Sequence, residues 1–212
     1  MASQRATVNT SSRSVTTRTP GNARERILET AYDLFSRRGI RAVGVDTVIA
    51  EAGVAKMTLY RHFGSKDELV LEVLRLREQR WTRGWLQCEV ESRASDPGER
   101  LLTIFDVFDE WFQTHDFEGC SFINVLLETV DQNPIRLATI THLATIRSFL
   151  EELAGAAGAA DPDDFARRWH ILMKGSIVAA GEGDRGAARR AREIGALLLE
   201  HERSGAPPVA RD

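Results

Sequence analysis

VDTVIAEAGVAKMTLYRHFGSKDEL, residues 45–69, reads as two short helices broken by a glycine turn and followed at once by a third. Val48, Ile49 and Ala52 lie three to four apart and give the first helix one apolar face. Gly53 can take the positive φ needed to turn the chain back. The second helix starts near Ala55; Leu59 and Phe63, four apart, face inward, which leaves Lys56, Met57, Thr58, Tyr60, Arg61 and His62 on the outer surface. That surface holds two cations, two hydroxyls and an imidazole, with no acid from Val54 to Ser65, and so suits phosphates and base edges. A merely solvated helix is the plainer alternative, but such a helix usually mixes both signs of charge, as the later helices of this chain do.

Working outward, Ile27, Ala31, Leu34 and Phe35 form one face of a helix over 23–38 that Gly39 ends and that covers the helix-turn-helix. On the other side, Ser65 and Glu68 form a capping box, so a helix begins at Lys66 and runs past Trp81 and Trp85 toward Glu91. Lys66 in its first turn, beside the second helix of the motif, is read as a phosphate clamp.

These residues resemble the TetR/AcrR family of bacterial transcriptional regulators: a Gly-Val turn, then Lys, Thr-Leu-Tyr, an aromatic after His, and Ser-Lys-Asp-Glu-Leu. The resemblance is close over roughly 24–75, and beyond that it is one of helical layout and length. It implies an operator-binding regulator, with Ala55, Lys56, Met57, Thr58, Tyr60, Arg61, His62 and Lys66 at the DNA. It also implies a small-molecule pocket among the middle helices. Two departures stand out. Gly44 occupies the position of a capping Ser or Thr, leaving Asp46 as the expected cap, and Ala55 stands where a Ser often caps the recognition helix.

The 212 residues are 42% hydrophobic and 28% charged, enough for a sizeable core. The net charge of -3 hides a division. Residues 1–66 carry 11 Lys/Arg against 5 Asp/Glu, whereas 67–212 carry 17 against 26, which fits a basic DNA-binding module on an acidic body. No apolar run reaches the ~20 residues of a membrane span and no secretory stretch opens the chain, so a cytoplasmic protein is expected. Cys88 and Cys120 have no CxxC spacing, the five histidines form no HxxxH pair, and no phosphate-loop or GxSxG pattern occurs. Neither a metal, a cofactor nor an enzyme is expected.

Asp96-Pro97-Gly98-Glu99, Asn133-Pro134 and Asp161-Pro162-Asp163-Asp164 each read as a helix start, with a capping side chain and proline at the first position. A shorter helix follows Gly119-Cys120, and a last one is read from Asp184 to about His201. The fold class is all-α, about nine helices. Its divisions are a basic arm expected to be disordered (1–22), a DNA-binding domain (23–66), a ligand-binding and dimerisation domain (67–203) and a flexible tail (204–212). Trp85, Phe108, Trp111, Phe112, Phe122, His142 and Trp169 are the candidate lining of an apolar effector pocket, with core packing as the competing reading; His115 and Asn124 are further polar candidates. Gly175, Ser176, Ala179 and Ala180 beside Ile177 suggest a homodimer face on the last two long helices. Two alternatives remain at this stage: a helical small-molecule-binding protein or enzyme with a relic motif, and a redox regulator using a Cys120 thiol of lowered pKa.

Overall fold

The computed structural model describes residues 22–115, 117–131 and 133–204, and the arm and tail read from the sequence lie essentially outside them. Nine helices follow one another among the described residues: α1 (Ala23–Arg38), α2 (Val45–Ala52), α3 (Lys56–Phe63), α4 (66–93), α5 (Pro97–Phe112), α6 (Ser121–Glu128), α7 (Pro134–Ala156), α8 (Pro162–Gly181) and α9 (Ala187–Arg203). The starts read from proline and cap pairs fall where local chemistry puts them. Asp96, Asn133 and Asp161 accept the N–H of Glu99, Ile135 and Asp164 at 3.0, 2.8 and 3.1 Å. Each such cap stabilises its helix by about 1 kcal/mol. Helix α9 begins three residues later than Asp184, because that carboxylate accepts the Gly186 N–H and closes a turn ahead of the helix.

Helices α1–α3 enclose a small core of Ile27, Ala31, Leu34, Val48, Leu59 and Phe63, all buried. Gly53 turns α2 into α3 at φ +61°. The body packs α5 against α7 and α9, and α8 against α7 and α9. At its centre Trp169 of α8 stacks on Phe165 and meets Phe105 of α5, both at 5.4 Å between ring centroids.

Helix α4 belongs to both parts, and it is not α-helical throughout. Residues Lys66–Arg77 and Cys88–Arg93 are α-helical, whereas Glu78–Gln87 forms a π-helix. Groups five residues apart meet across this wider turn: the Arg83 side chain pairs with Glu78 at 2.8 Å, and the Cys88 thiol lies 3.3 Å from the Arg83 backbone carbonyl. Gly84 is what the wide turn tolerates, since a Cβ there would stand 2.9 Å from the Gln79 carbonyl oxygen. In an α-helix, Gly to Ala normally stabilises by up to ~1 kcal/mol. Here Gly84→Ala is expected to lower the thermal midpoint instead, because the obstacle is backbone. A raised midpoint in a melting experiment would contradict the π-helical form.

Candidate DNA interface, domain junction and effector cleft

Helix α3 rests on α1, α2 and α4 through Leu59 and Phe63, 0% and 2% exposed. This turns Lys56, Met57 and Arg61 fully outward and leaves Thr58, Tyr60 and His62 half-buried along the same ridge. Ala55 is exposed at the N-cap and offers no side-chain oxygen to the first turn. Lys56 lies 3.3 Å from Asp46, but both side chains are exposed, so the pair is worth at most ~1 kcal/mol and does not withdraw the ammonium from a ligand. Met57, 76% exposed, is a free apolar side chain on an otherwise polar face, suited to a thymine methyl.

Two of the sequence expectations meet a different geometry. Asp46 makes no capping hydrogen bond at α2, whose cap residue Gly44 is extended; the carboxylate faces Lys56 instead. Lys66 does not point its ammonium outward. It donates to the Ile40 carbonyl at 2.6 Å and lies 6.0 Å from the Phe35 ring, tying the start of α4 to the α1–α2 loop.

The same loop is held from the body. The Glu128 carboxylate, at the end of α6, accepts the N–H groups of Ile40 and Arg41, both at 3.1 Å. Gly39 makes room for it. At φ +78° this residue ends α1, and a Cβ there would lie 2.5 Å from a Glu128 oxygen. Further ties join α1 to α4: Arg24 to Glu72 at 2.7 Å, Arg77 donating to the Tyr32 hydroxyl at 3.1 Å, and a two-pronged Arg80 pair with Glu29. Glu29 holds the Arg80 guanidinium above its ordinary pKa. Sequence reading found neither Glu128 nor Tyr32 and Arg77, because each acts through a partner at least 45 positions away.

The candidate effector residues divide. Phe108, Phe112, Phe122 and Trp169 are 0–1% exposed and fill the core, each contributing about 1.5–3 kcal/mol of burial. His142 is half-buried, with its ring stacked on Phe122 at 5.4 Å, and burial draws its pKa below the usual histidine range. His115 and Asn124 are exposed. Asn124 borders a cleft of about 500 Å³ beside α8, and of the aromatic candidates Trp85 and Trp111 border another. With Trp81 they line this second cleft, of about 450 Å³, which opens between α1, α4 and α5. The three indoles touch one another at centroid distances of 5.4–5.8 Å.

The thiol reading is not favoured. Cys120 is 7% exposed, and its burial pushes the thiol up rather than down, so it is less nucleophilic than a free cysteine. The small-residue stripe divides, with Gly175 exposed and Ala179 half-buried. Ser176, Ile177 and Ala180 are 3–5% exposed because they face the protein's own core. On the last two helices the exposed large apolar side chains are Ile171 and Val178 of α8 and Ile194 and Leu197 of α9; Leu127, Leu137 and Ile140 are exposed on α6 and α7.

A basic, acid-free helix braced by two others and joined through one long helix to an all-helical body defines a helix-turn-helix protein with a separate second module. The likeness is to the TetR/AcrR family of bacterial transcriptional regulators, and it is carried by the helix-turn-helix part of the chain. Residues 27–73 match the family model described as bacterial regulatory proteins, tetR family. Over 86 residues the chain is 35% identical to the HTH-type transcriptional repressor KstR2 of Mycolicibacterium smegmatis, which is 41% of each protein. Over 100 residues it is 34% identical to the HTH-type transcriptional activator FasR of the same organism, 47% of this chain and 44% of that one. The chain thus spans less than half the length of these curated relatives. A solved structure covers more: SCO4454, a TetR-family transcriptional regulator from Streptomyces coelicolor, superposes with a TM-score of 0.79 at 28% identity, over 87% of this chain and 92% of that one. Among the described residues no cluster of potential metal ligands occurs, and no helix is long and apolar enough to cross a membrane.

Proposed function

We propose that the protein is a sequence-specific DNA-binding regulator of the cytoplasm. It represses from a near-palindromic operator as a homodimer, and a small effector releases it. The observation that carries this reading is α3: Lys56, Met57, Thr58, Tyr60, Arg61 and His62 on one outward ridge, with Ala55 exposed at its start and no carboxylate on the helix. Residues 23–66 form the DNA-reading domain and 67–203 the effector and dimerisation domain. The open apolar face of α8 and α9 supports pairing through those helices, which sets two recognition helices in major grooves about one turn, ~34–36 Å, apart.

A gel shift with DNA from upstream of the protein's own gene tests this. Arg61→Ala is expected to weaken binding to all sequences and to reduce the salt slope by about one. Lys56→Ala should change base preference, since a lysine early in the recognition helix reaches guanine acceptors. Lys66→Ala, with its ammonium on the Ile40 carbonyl, should lower the melting midpoint and leave the salt slope unchanged. If binding persists unaltered in the first two variants, the DNA-reading surface lies elsewhere.

A further inference from the structure

The cleft between α1, α4 and α5 combines features that a merely loose junction does not require. Its floor is the face-and-edge cluster of Trp81, Trp85 and Trp111, and its rim carries Asp33, Glu110 and Glu118 against Arg37 and Arg77. Both arginines are already engaged. Arg77 donates to the Tyr32 hydroxyl at 3.1 Å and lies 5.8 Å from that ring, and Arg37 stands 3.5 Å from Glu118. Glu110 is held at 2.6 Å by Arg93, which fastens the far end of α4 to α5 and fixes that wall. Asp33 is exposed at the mouth and enters no hydrogen bond or ion pair among the described residues; its charge is felt only weakly by Arg80.

An anion entering here would have to take Arg77 from Tyr32 or Arg37 from Glu118, while facing three carboxylates. A cation meets a lining of three clustered indoles and one carboxylate with no hydrogen bond or ion pair among the described residues, and displaces neither arginine from its partner. We propose that this cleft binds an organic monocation with apolar or aromatic substituents, the indoles of Trp81, Trp85 and Trp111 taking the cation and Asp33 balancing its charge. Bound there, the ligand touches α1 of the DNA-reading domain and α4 and α5 of the body at once. Occupancy therefore changes the angle between the two parts. That last consequence rests on the regulator reading; the binding itself does not.

The test uses two ions of nearly the same shape and opposite charge, tetraphenylphosphonium and tetraphenylborate, titrated into the full-length protein and followed by tryptophan fluorescence. The phosphonium is expected to quench saturably and the borate to bind at least about ten times more weakly. Asp33→Asn should weaken phosphonium binding about 2- to 5-fold, and Trp85→Leu about 2- to 30-fold. Asp33 is exposed, so its variant remains informative even where Trp85→Leu disturbs folding. Equal affinity for the two ions, or phosphonium binding indifferent to Asp33→Asn and to a folded Trp85→Leu, would overturn the site. A gel shift run in parallel separates this inference from the regulator reading. Operator binding without phosphonium binding sinks only the cleft; phosphonium binding without any DNA binding sinks only the regulator.

Discussion

A protein carrying Ile171→Arg and Leu197→Arg is expected to sediment as a monomer and to bind operator DNA at least ~100-fold more weakly than the parent. The two side chains are each 65% exposed on α8 and α9, helices that pack directly on one another, so two copies brought together there would bury a continuous apolar face. Because both point away from the protein's own core, the substitutions should change monomer stability by no more than about 0.5 kcal/mol. The loss of affinity follows from bivalency. A dimer on a palindrome places its second recognition helix at an effective concentration that raises affinity ~10²–10⁴-fold, and a monomer forfeits that gain. Ala179 is the poorer probe: it is half-buried against the body, and an arginine there would disturb folding before it tested association. A double variant that stays dimeric in sedimentation velocity would place the interface on another surface.

The second large effect is expected at Glu128. Replacing it with alanine leaves the Ile40 and Arg41 N–H groups without their carboxylate, and Ile40 is buried, so the loss should be about 2–4 kcal/mol. For a protein of this size that corresponds to a fall of roughly 4–16 °C in melting midpoint. Gly39→Ala should be costly as well, because the residue sits at φ +78° and its new Cβ would press on the Glu128 oxygen at 2.5 Å. In the Glu128→Ala background the clash is gone and only the backbone strain remains, so the two losses should be less than additive. A double-mutant cycle of thermal melts checks this, and strict additivity would mean that the carboxylate does not seat over Gly39. The functional meaning is that α6, a helix of the body, fixes the position of the loop leading into α2. In the proposed regulator, a movement of α6 would reach the helix-turn-helix through this contact.

What the sequence disclosed was governed by local chemistry. Ser65, Asp96, Asn133 and Asp161 cap the N–H of residues two or three positions on, so their helices begin where a reader of the string would start them. The ridge on α3 was legible for the same reason: Leu59 and Phe63 four apart leave only one possible outward face. The misreadings share a cause too. Phe108, Trp111 and Phe112 have the same helical spacing, and only the position of α1 and α4 decides that Trp111 edges a cleft while the phenylalanines are enclosed. Likewise Ser176, Ile177 and Ala180 look like a face prepared for another chain, yet α8 uses them against its own body. Lys66 at a helix start suggested a phosphate, but the carbonyl it meets belongs to a loop 26 residues earlier. The π-helical stretch of α4 has no local signature beyond Gly84, whose obstacle five residues back exists only once the wide turn has formed.

In the proposed regulator two copies of α3 read a two-fold DNA site. Footprinting on DNA from upstream of the protein's own gene, combined with the mass of the complex in solution, measures this directly. Protection of one near-palindromic site, with half-site centres ~34–36 Å or a multiple apart and an even number of protomers bound, is the predicted result. Protection that covers no symmetric sequence, or saturation by a single protomer, would contradict it.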